Sequence, residues 1–222
     1  MTLMTLAARW AKAARAAVPF VLTVDHGLRA ESAGEAHWVA ARAKALGLKH
    51  ATLRWTGAKP VHGVQEEARA VRYRLIGAWA RAHGVHDVLL GHTADDQAET
   101  LLMRLARGSG LKGLGGMAAV SALPQLAPEV RFLRPLLGFT RAQVTATATA
   151  LGVKAVSDPS NVNPKFERVR VRAAMRVLTD AGVGATAITL SASRLRDAQA
   201  ALDAACAALL AGRARFSPLG AI

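Results

Sequence analysis

"HDVLLGHTADDQAETLLMRLA", residues 86–106, decides how the rest of the chain is read. A short apolar run stops at Gly91-His92, and a polar, acid-rich stretch with helical composition follows. Residues 86–92 therefore predict a strand and 94–106 a helix, with Thr93 as N-cap and acids in the first turn, where the helix dipole favours them. The same alternation runs upstream. "PFVLTVDHG" (19–27) reads as a buried strand, 32–46 as a helix, "LKHATLRW" (48–55) as a strand and 64–84 as a long helix. Val64, Ala68, Val71, Leu75 and Trp79 line one face of that last helix. This β-α-β-α-β-α order predicts an α/β fold: a doubly wound, mainly parallel sheet with right-handed crossovers.

Flanking segments are less regular. Residues 2–17 predict a helix ending before Pro19. Beyond residue 107 come a Gly-rich loop (107–117), "VRFLRPLL" (130–137) and a helix over 140–151. An Ala-rich helix over about 186–211 follows, with an apolar stripe at Leu195, Leu202 and Leu209. It reads as the first helix of something that continues.

Composition narrows the function. The chain has 222 residues, 52% apolar and 20% charged, which argues against disorder. A net charge of +14 points to an anionic partner, with nucleic acid the leading candidate. Cys206 is the only cysteine, so no disulfide framework or thiolate metal site forms within one chain, and a reducing, cytoplasmic setting is expected. No uncharged apolar run is long enough to span a bilayer, so no membrane partner is expected.

In open α/β sheets, ligands bind beyond the carboxyl ends of the strands. Asp25-His26 and His92 stand at two such ends. Helix capping accounts for part of "TADDQAE", but not for His92, Asp96 and Glu99 together, placed to project along one side. Carboxylates there would hold a cation: an amine substrate, or Mg2+ on a polyphosphate near Asp95 and Asp96. "RGSGLKGLGGM" contains a formal GxGxxG, but it follows a helix rather than a strand and is no dinucleotide fingerprint. Its functional reading is a phosphate surface of backbone N–H groups with Arg107 and Lys112. "KFERVRVRAAMR" places Arg168, Arg172 and Arg176 on one helical face, with Lys165 and Arg170 nearby and only Glu167 to relieve their repulsion. Phosphate binding is the better reading of that face. The polar turn Asp158, Ser160, Asn161 and Asn163 precedes it.

Taken together, "TVDHGLRAES" (23–32), "EARAVRYRLI" (67–76), "LGHTADDQAETLLMRLARGSGLKGLGGM" (90–117), "RPLL" (134–137) and "DPSNVNPKFERVRVR" (158–172) resemble the tRNA(Ile)-lysidine synthetases of the PP-loop ATP pyrophosphatase superfamily. The resemblance runs from residue 1 to about 180. It implies a PP-loop catalytic domain over 1–180, with 181–222 as a helical linker or the start of a further domain. It also implies ATP and Mg2+ as cofactors, and tRNA(Ile) with a CAU anticodon and free L-lysine as partners; a homodimer stays open. ATP would adenylate the C2 oxygen of the wobble cytidine, and the lysine ε-amine would then attack C2 as AMP leaves. On this resemblance Val24, Asp25, His26, Gly91 and His92 meet ATP, and Asp25, His92 and Asp96 serve catalysis. Asp96 and Glu99 hold the lysine ammonium, and Arg107, Lys112, Arg168, Arg170 and Arg172 meet tRNA phosphate.

The chain departs from the family in three ways. Val169 stands where an Arg-Asn-Arg motif usually has Asn, the C-terminal tRNA-reading domains are not in the sequence, and the SGGxDS phosphate loop is missing. Met1 falls where the helix after that loop should already have begun, so the sheet is expected to lack a strand beside "VLTVD". ATP binding and stability should accordingly be poor until an upstream extension supplies strand and loop. Three rivals stand against this reading. The tRNA 2-thiolating enzymes need cysteine pairs or an iron–sulfur cluster, which one cysteine cannot supply. A Rossmann oxidoreductase is disfavoured by the context of the glycines, and an inactive tRNA-binding remnant is the third alternative.

Overall fold

The computed structural model describes residues 1–29, 31–153 and 167–213. These residues fall into two compact units, one drawn from Met1–Gly91 with Ala119–Asp158, the other from His92–Ala118 with Pro159–Ile222.

In the first unit the alternating pattern becomes α1 (Thr2–Ala14), β1 (Val21–Asp25), α2 (Ser32–Ala45), β2 (His50–Arg54), α3 (Val64–Ala82) and β3 (Asp87–Leu89). β1 and β2 pair in parallel, with Asp25 opposite Arg54. β3 pairs in parallel with β5 (Ala127–Leu133), and β4 (Val120–Leu123) adds to β5 antiparallel. The fold is α/β with parallel strands, as the alternation predicts, but its strands form two sheets, β1-β2 and β3-β5-β4. Among the described strands β1 pairs only with β2, and β3 only with β5.

The sequence pattern conveyed neither β4 nor the extent of β5. "VRFLRPLL" is not one segment: the strand stops at Leu133, and a turn covers 135–138. β4 is half exposed and short, so it carries little apolar signal of its own. α6 (Arg141–Ala150) opens on a capping box in which Gln143 Oε1 accepts the Thr140 N–H at 2.8 Å.

The core of this unit joins Tyr73, Ile76 and Ala80 of α3 to Ala127, Val130 and Phe132 of β5. Tyr73 meets Phe132 edge-on at 4.9 Å. Gly77 allows the approach: a Cβ there would lie 2.5 Å from the Ala127 Cβ.

The second unit contains α4 (Ala94–Ala106), α5 (Leu111–Leu114), α7 (Glu167–Asp180) and α8 (Ala185–Arg213). α8 packs on α4 and α5 through its first half, where Ile188 and Ala192 are buried. The stripe of Leu195, Leu202 and Leu209 continues beyond this docked half. Leu202 and Leu209 are more than half exposed, because no described element reaches that far along the helix. No helix among the described residues is long and apolar enough to cross a membrane.

Candidate functional site

Three of the expected residues, Val24, Asp25 and His26, stand at the carboxyl end of β1. Asp25 is held from three sides. Its carbonyl accepts the Trp55 N–H at 2.8 Å, and its Oδ1 accepts the Gly27 N–H at 2.9 Å and the Ser32 hydroxyl at 2.7 Å. Ser32 and the Gly27 amide together hold the carboxyl below the usual aspartate range. Gly27 can turn the chain here because its φ is 59°, a left-handed conformation that favours glycine.

His26 follows. Its Nε2 lies 3.2 Å from an Arg72 guanidinium nitrogen, and its Nδ1 is buried without a hydrogen-bond partner. Burial, then the charge of Arg72, push its pKa down against the pull of Asp25, so the imidazole is neutral at pH 7. Its ring meets Trp55 edge-on at 6.0 Å.

Trp55, the residue after β2, was not singled out from the sequence. Lys59 places Nζ 4.0 Å over the Trp55 ring and donates to its carbonyl at 2.7 Å. Trp55, Lys59, Pro60, His62, Glu66 and Glu67 line an open cleft of about 660 Å3. Its position beyond a parallel strand, with Lys59 four residues on, was the available signal; the partnership of Trp55 with His26 needed the fold. The other expected nucleotide residue of this unit, Gly91, follows Leu90, whose N–H bonds the Leu133 carbonyl at 2.8 Å.

In the second unit His92 is half-buried and precedes the cap of α4. Thr93 and Asp96 form the capping box: Asp96 Oδ2 accepts both the Thr93 N–H and its hydroxyl at 2.8 Å. This oxygen of Asp96 thus belongs to the helix start. Asp95 sits beside it in the first turn, half-buried.

Glu99, one turn on, is 1% exposed. Its Oε1 accepts from Arg172 Nε at 2.8 Å, and Arg168 Nε lies 3.1 Å from its Oε2. The carboxylate read as a holder of lysine and two of the arginines read as holders of phosphate are therefore partners of one another. The reason is electrostatic: a carboxylate this buried must be paired, and the spacing of four puts both guanidiniums on the face of α7 that meets α4. Arg107 pairs with Glu167, while Lys112, Arg170 and Arg176 are exposed. Asp158, Ser160, Asn161, Asn163 and Lys165 lie outside the described residues.

The glycine loop is more ordered than its composition suggested. Arg104 Nη1 donates to the Gly113 carbonyl at 2.6 Å, Arg196 Nη2 to the Met117 carbonyl at 2.8 Å, and Gln97 brackets Met117 from below. These three polar clamps are invisible to a linear reading because their partners are backbone atoms.

No three His, Cys, Asp or Glu side chains among the described residues converge to hold a metal ion. Mg2+ on a polyphosphate requires only one or two carboxylates, which Asp95 and Asp96 offer in kind. The groups at the end of β1 suit a nucleoside, but the sequence contains no SGGxDS cradle for the phosphates.

A parallel α/β unit with polar groups at its strand ends is the arrangement in which open α/β sheets bind ligands. The chain belongs to the PP-loop domain family, whose pattern matches residues 1–178. Among curated proteins it is 47% identical over 205 residues to a tRNA(Ile)-lysidine synthase of Bradyrhizobium sp. BTAi1, covering 91% of this chain and 56% of that protein. It is 45% identical over 204 residues to the enzyme of the same name from Rhodopseudomonas palustris (91% and 58%), and 49% identical over 186 residues to that of Novosphingobium aromaticivorans (82% and 55%). The chain thus spans somewhat over half the length of these relatives. Among solved structures it is similar to the U34-tRNA thiolase NcsA from Methanococcus maripaludis, with a TM-score of 0.69 at 16% identity over 87% of this chain and 68% of that one. That likeness concerns the fold alone.

Proposed function

We propose that this chain carries the catalytic part of a tRNA(Ile)-lysidine synthase, which uses ATP to convert the wobble cytidine of a CAU-anticodon tRNA(Ile) into lysidine. The single observation that carries the reading is the set of acids on α4. A chain of net charge +14 places Asp95, Asp96 and the buried Glu99 on the turns that follow β3. Capping uses one oxygen of Asp96 and two arginines pair with Glu99, yet a set of three acids at one strand end still suits a protein that selects a free amine as well as a polyanion.

ATP, when bound, would supply the leaving group by adenylating the C2 oxygen with release of pyrophosphate. The chain's own residues have narrower roles. Val24, Asp25 and His26 receive the nucleoside, with Asp25 fixed by Ser32 and Gly27 and His26 kept neutral. Asp96 and Glu99 hold the lysine ammonium, and His92 or Asp96 accepts the proton it must lose. The amine then forms a C–N bond to C2 as the C2–O bond to AMP breaks. Arg107, Lys112, Arg168, Arg170 and Arg172 meet RNA phosphate. Mg2+ accompanying ATP, a cytoplasmic location and a possible homodimer belong to the same reading.

The test is incorporation of labelled lysine into a CAU-anticodon tRNA(Ile) transcript in the presence of ATP, by the chain and by a full-length relative carrying Asp96→Asn or Glu99→Gln. The reading requires that both substitutions raise the lysine concentration needed. If neither does, the assignment of the acids is wrong. RNA binding without any lysine transfer by the chain would favour a binding-only role for it.

A further inference from the structure

Glu99 is far more deeply buried than its partners. The carboxylate is 1% exposed, while the Arg172 side chain is 27% and the Arg168 side chain 44% exposed. Each carboxylate oxygen faces a guanidinium, at 2.8 Å and 3.1 Å. The contact joins a buried carboxylate to two guanidiniums that reach solvent.

A ligand of either sign meets a partner already engaged. A lysine ammonium reaching Glu99 as it stands would meet two guanidiniums already on the carboxylate. An RNA phosphate approaching α7 meets Arg168 and Arg172 already engaged, beside exposed Arg170 and Arg176, which attract it. Neither ligand binds well alone, but together they relieve one another. Phosphate draws the guanidiniums outward, and a carboxylate buried this deeply favours another cation in the place they leave. An ammonium is a compact point charge and can take the place that a planar guanidinium vacates.

We propose that RNA phosphate and lysine occupy this cluster by exchange: phosphate draws Arg168 and Arg172 off Glu99, and the freed carboxylate takes the lysine ε-ammonium. Lysine's site on Glu99 therefore forms with RNA in place, and the coupling is reciprocal. This inference rests on the reading of Glu99 as a lysine-holding carboxylate. The exchange also gives Arg168 and Arg172 a second role, since in the absence of RNA they shield Glu99 from stray cations.

The experiment uses the full chain without ATP, so that no reaction occurs, and a fluorescein-labelled anticodon stem–loop of tRNA(Ile) as the probe. RNA affinity is measured by anisotropy with saturating L-lysine, with L-norleucine, which has the same chain without the ε-amine, and with neither. Lysine should tighten RNA binding by on the order of ten-fold and norleucine should not. Glu99→Gln should abolish the lysine effect while binding RNA at least as tightly as the unmodified chain does without lysine. Lysine affinity is then measured calorimetrically with and without the unlabelled stem–loop. Equal RNA affinity with and without lysine overturns the exchange, and this arm needs no variant. If lysine affinity drops in Glu99→Gln yet is independent of RNA, the exchange fails and the reading of Glu99 stands. If Glu99→Gln leaves lysine affinity unchanged, that reading fails with it.

Discussion

Gln97 and Met117 are joined by two hydrogen bonds: the Gln97 side-chain amide donates to the Met117 carbonyl at 2.8 Å, and the Met117 N–H donates to Gln97 Oε1 at 2.7 Å. Gln97 is 1% exposed, so this pair ties the end of the glycine loop to α4 with no water to replace it. Gln97→Ala leaves the Met117 N–H unpaired and should cost about 1–3 kcal/mol. Gly116→Ala should also destabilise, since its φ is +68° and its Cβ would lie 2.7 Å from Gln97 Oε1. Urea denaturation of the two variants checks both; wild-type midpoints would remove the loop clamp from the account.

Gly77 is the second close approach. Ala at this position puts a methyl 2.5 Å from the Ala127 Cβ and 2.7 Å from its Cα, both on a strand that cannot retreat from the Phe132 core. Overpacking of this kind costs about 1–3 kcal/mol. A calorimetric scan should register a lowered Tm, whereas Gly34→Ala, with nothing within 4 Å, should not lower it.

Asp96 has a structural role as well as the proposed chemical one, and the two separate cleanly. Thr93→Ala removes the cap and should destabilise by about 1 kcal/mol. Asp96→Asn retains an oxygen able to accept from Thr93 and loses only the charge, so stability should stay within about 1 kcal/mol. A rise in lysine requirement for Asp96→Asn alone, with Thr93→Ala unaffected, would locate the role in the charge. Parallel losses in both would reduce Asp96 to a capping residue.

His26 should impose a pH dependence. Because its folded-state pKa is depressed, the unfolded chain takes up the proton first as the pH falls. The stability it contributes is therefore complete above the ordinary histidine pKa of about 6.5 and declines as the pH falls through that value toward the lower folded one. Arg72→Gln removes the second cause but not burial, which is the largest, so the pKa should rise part of the way. NMR titration of the His26 ring decides it; no movement in Arg72→Gln would mean that the Arg72 charge plays no part.

Much of the fold was legible in the sequence because its elements are local. The helix over 94–106 was placed at its observed bounds, since Thr93, the acids after it and the glycine after Arg107 are adjacent signals that tertiary contacts did not override. The strands around Val24 and Val88 were found for the same reason, although each proved shorter by a residue or more at both ends. β4 escaped notice because half its residues face solvent, and it exists only through pairing with β5.

The candidate site divides along the same line. Residue types and spacing by themselves determined that acids gather at the start of α4, that basic residues share a face of α7, and that Asp25 and His26 close a strand. Tertiary structure alone decided which of these charges meet. Glu99 and Arg172 are 73 residues apart in sequence, and no local rule can pair them; the burial of one carboxylate selects its cations from whatever the fold brings within reach. Trp55 acquired its distant neighbour in the same way: His26 meets it only because β1 and β2 run in parallel and stop together, whereas Lys59 reaches it from four residues along the chain. Hydrogen bonds between distant backbones thus set the company a side chain keeps beyond its own turn.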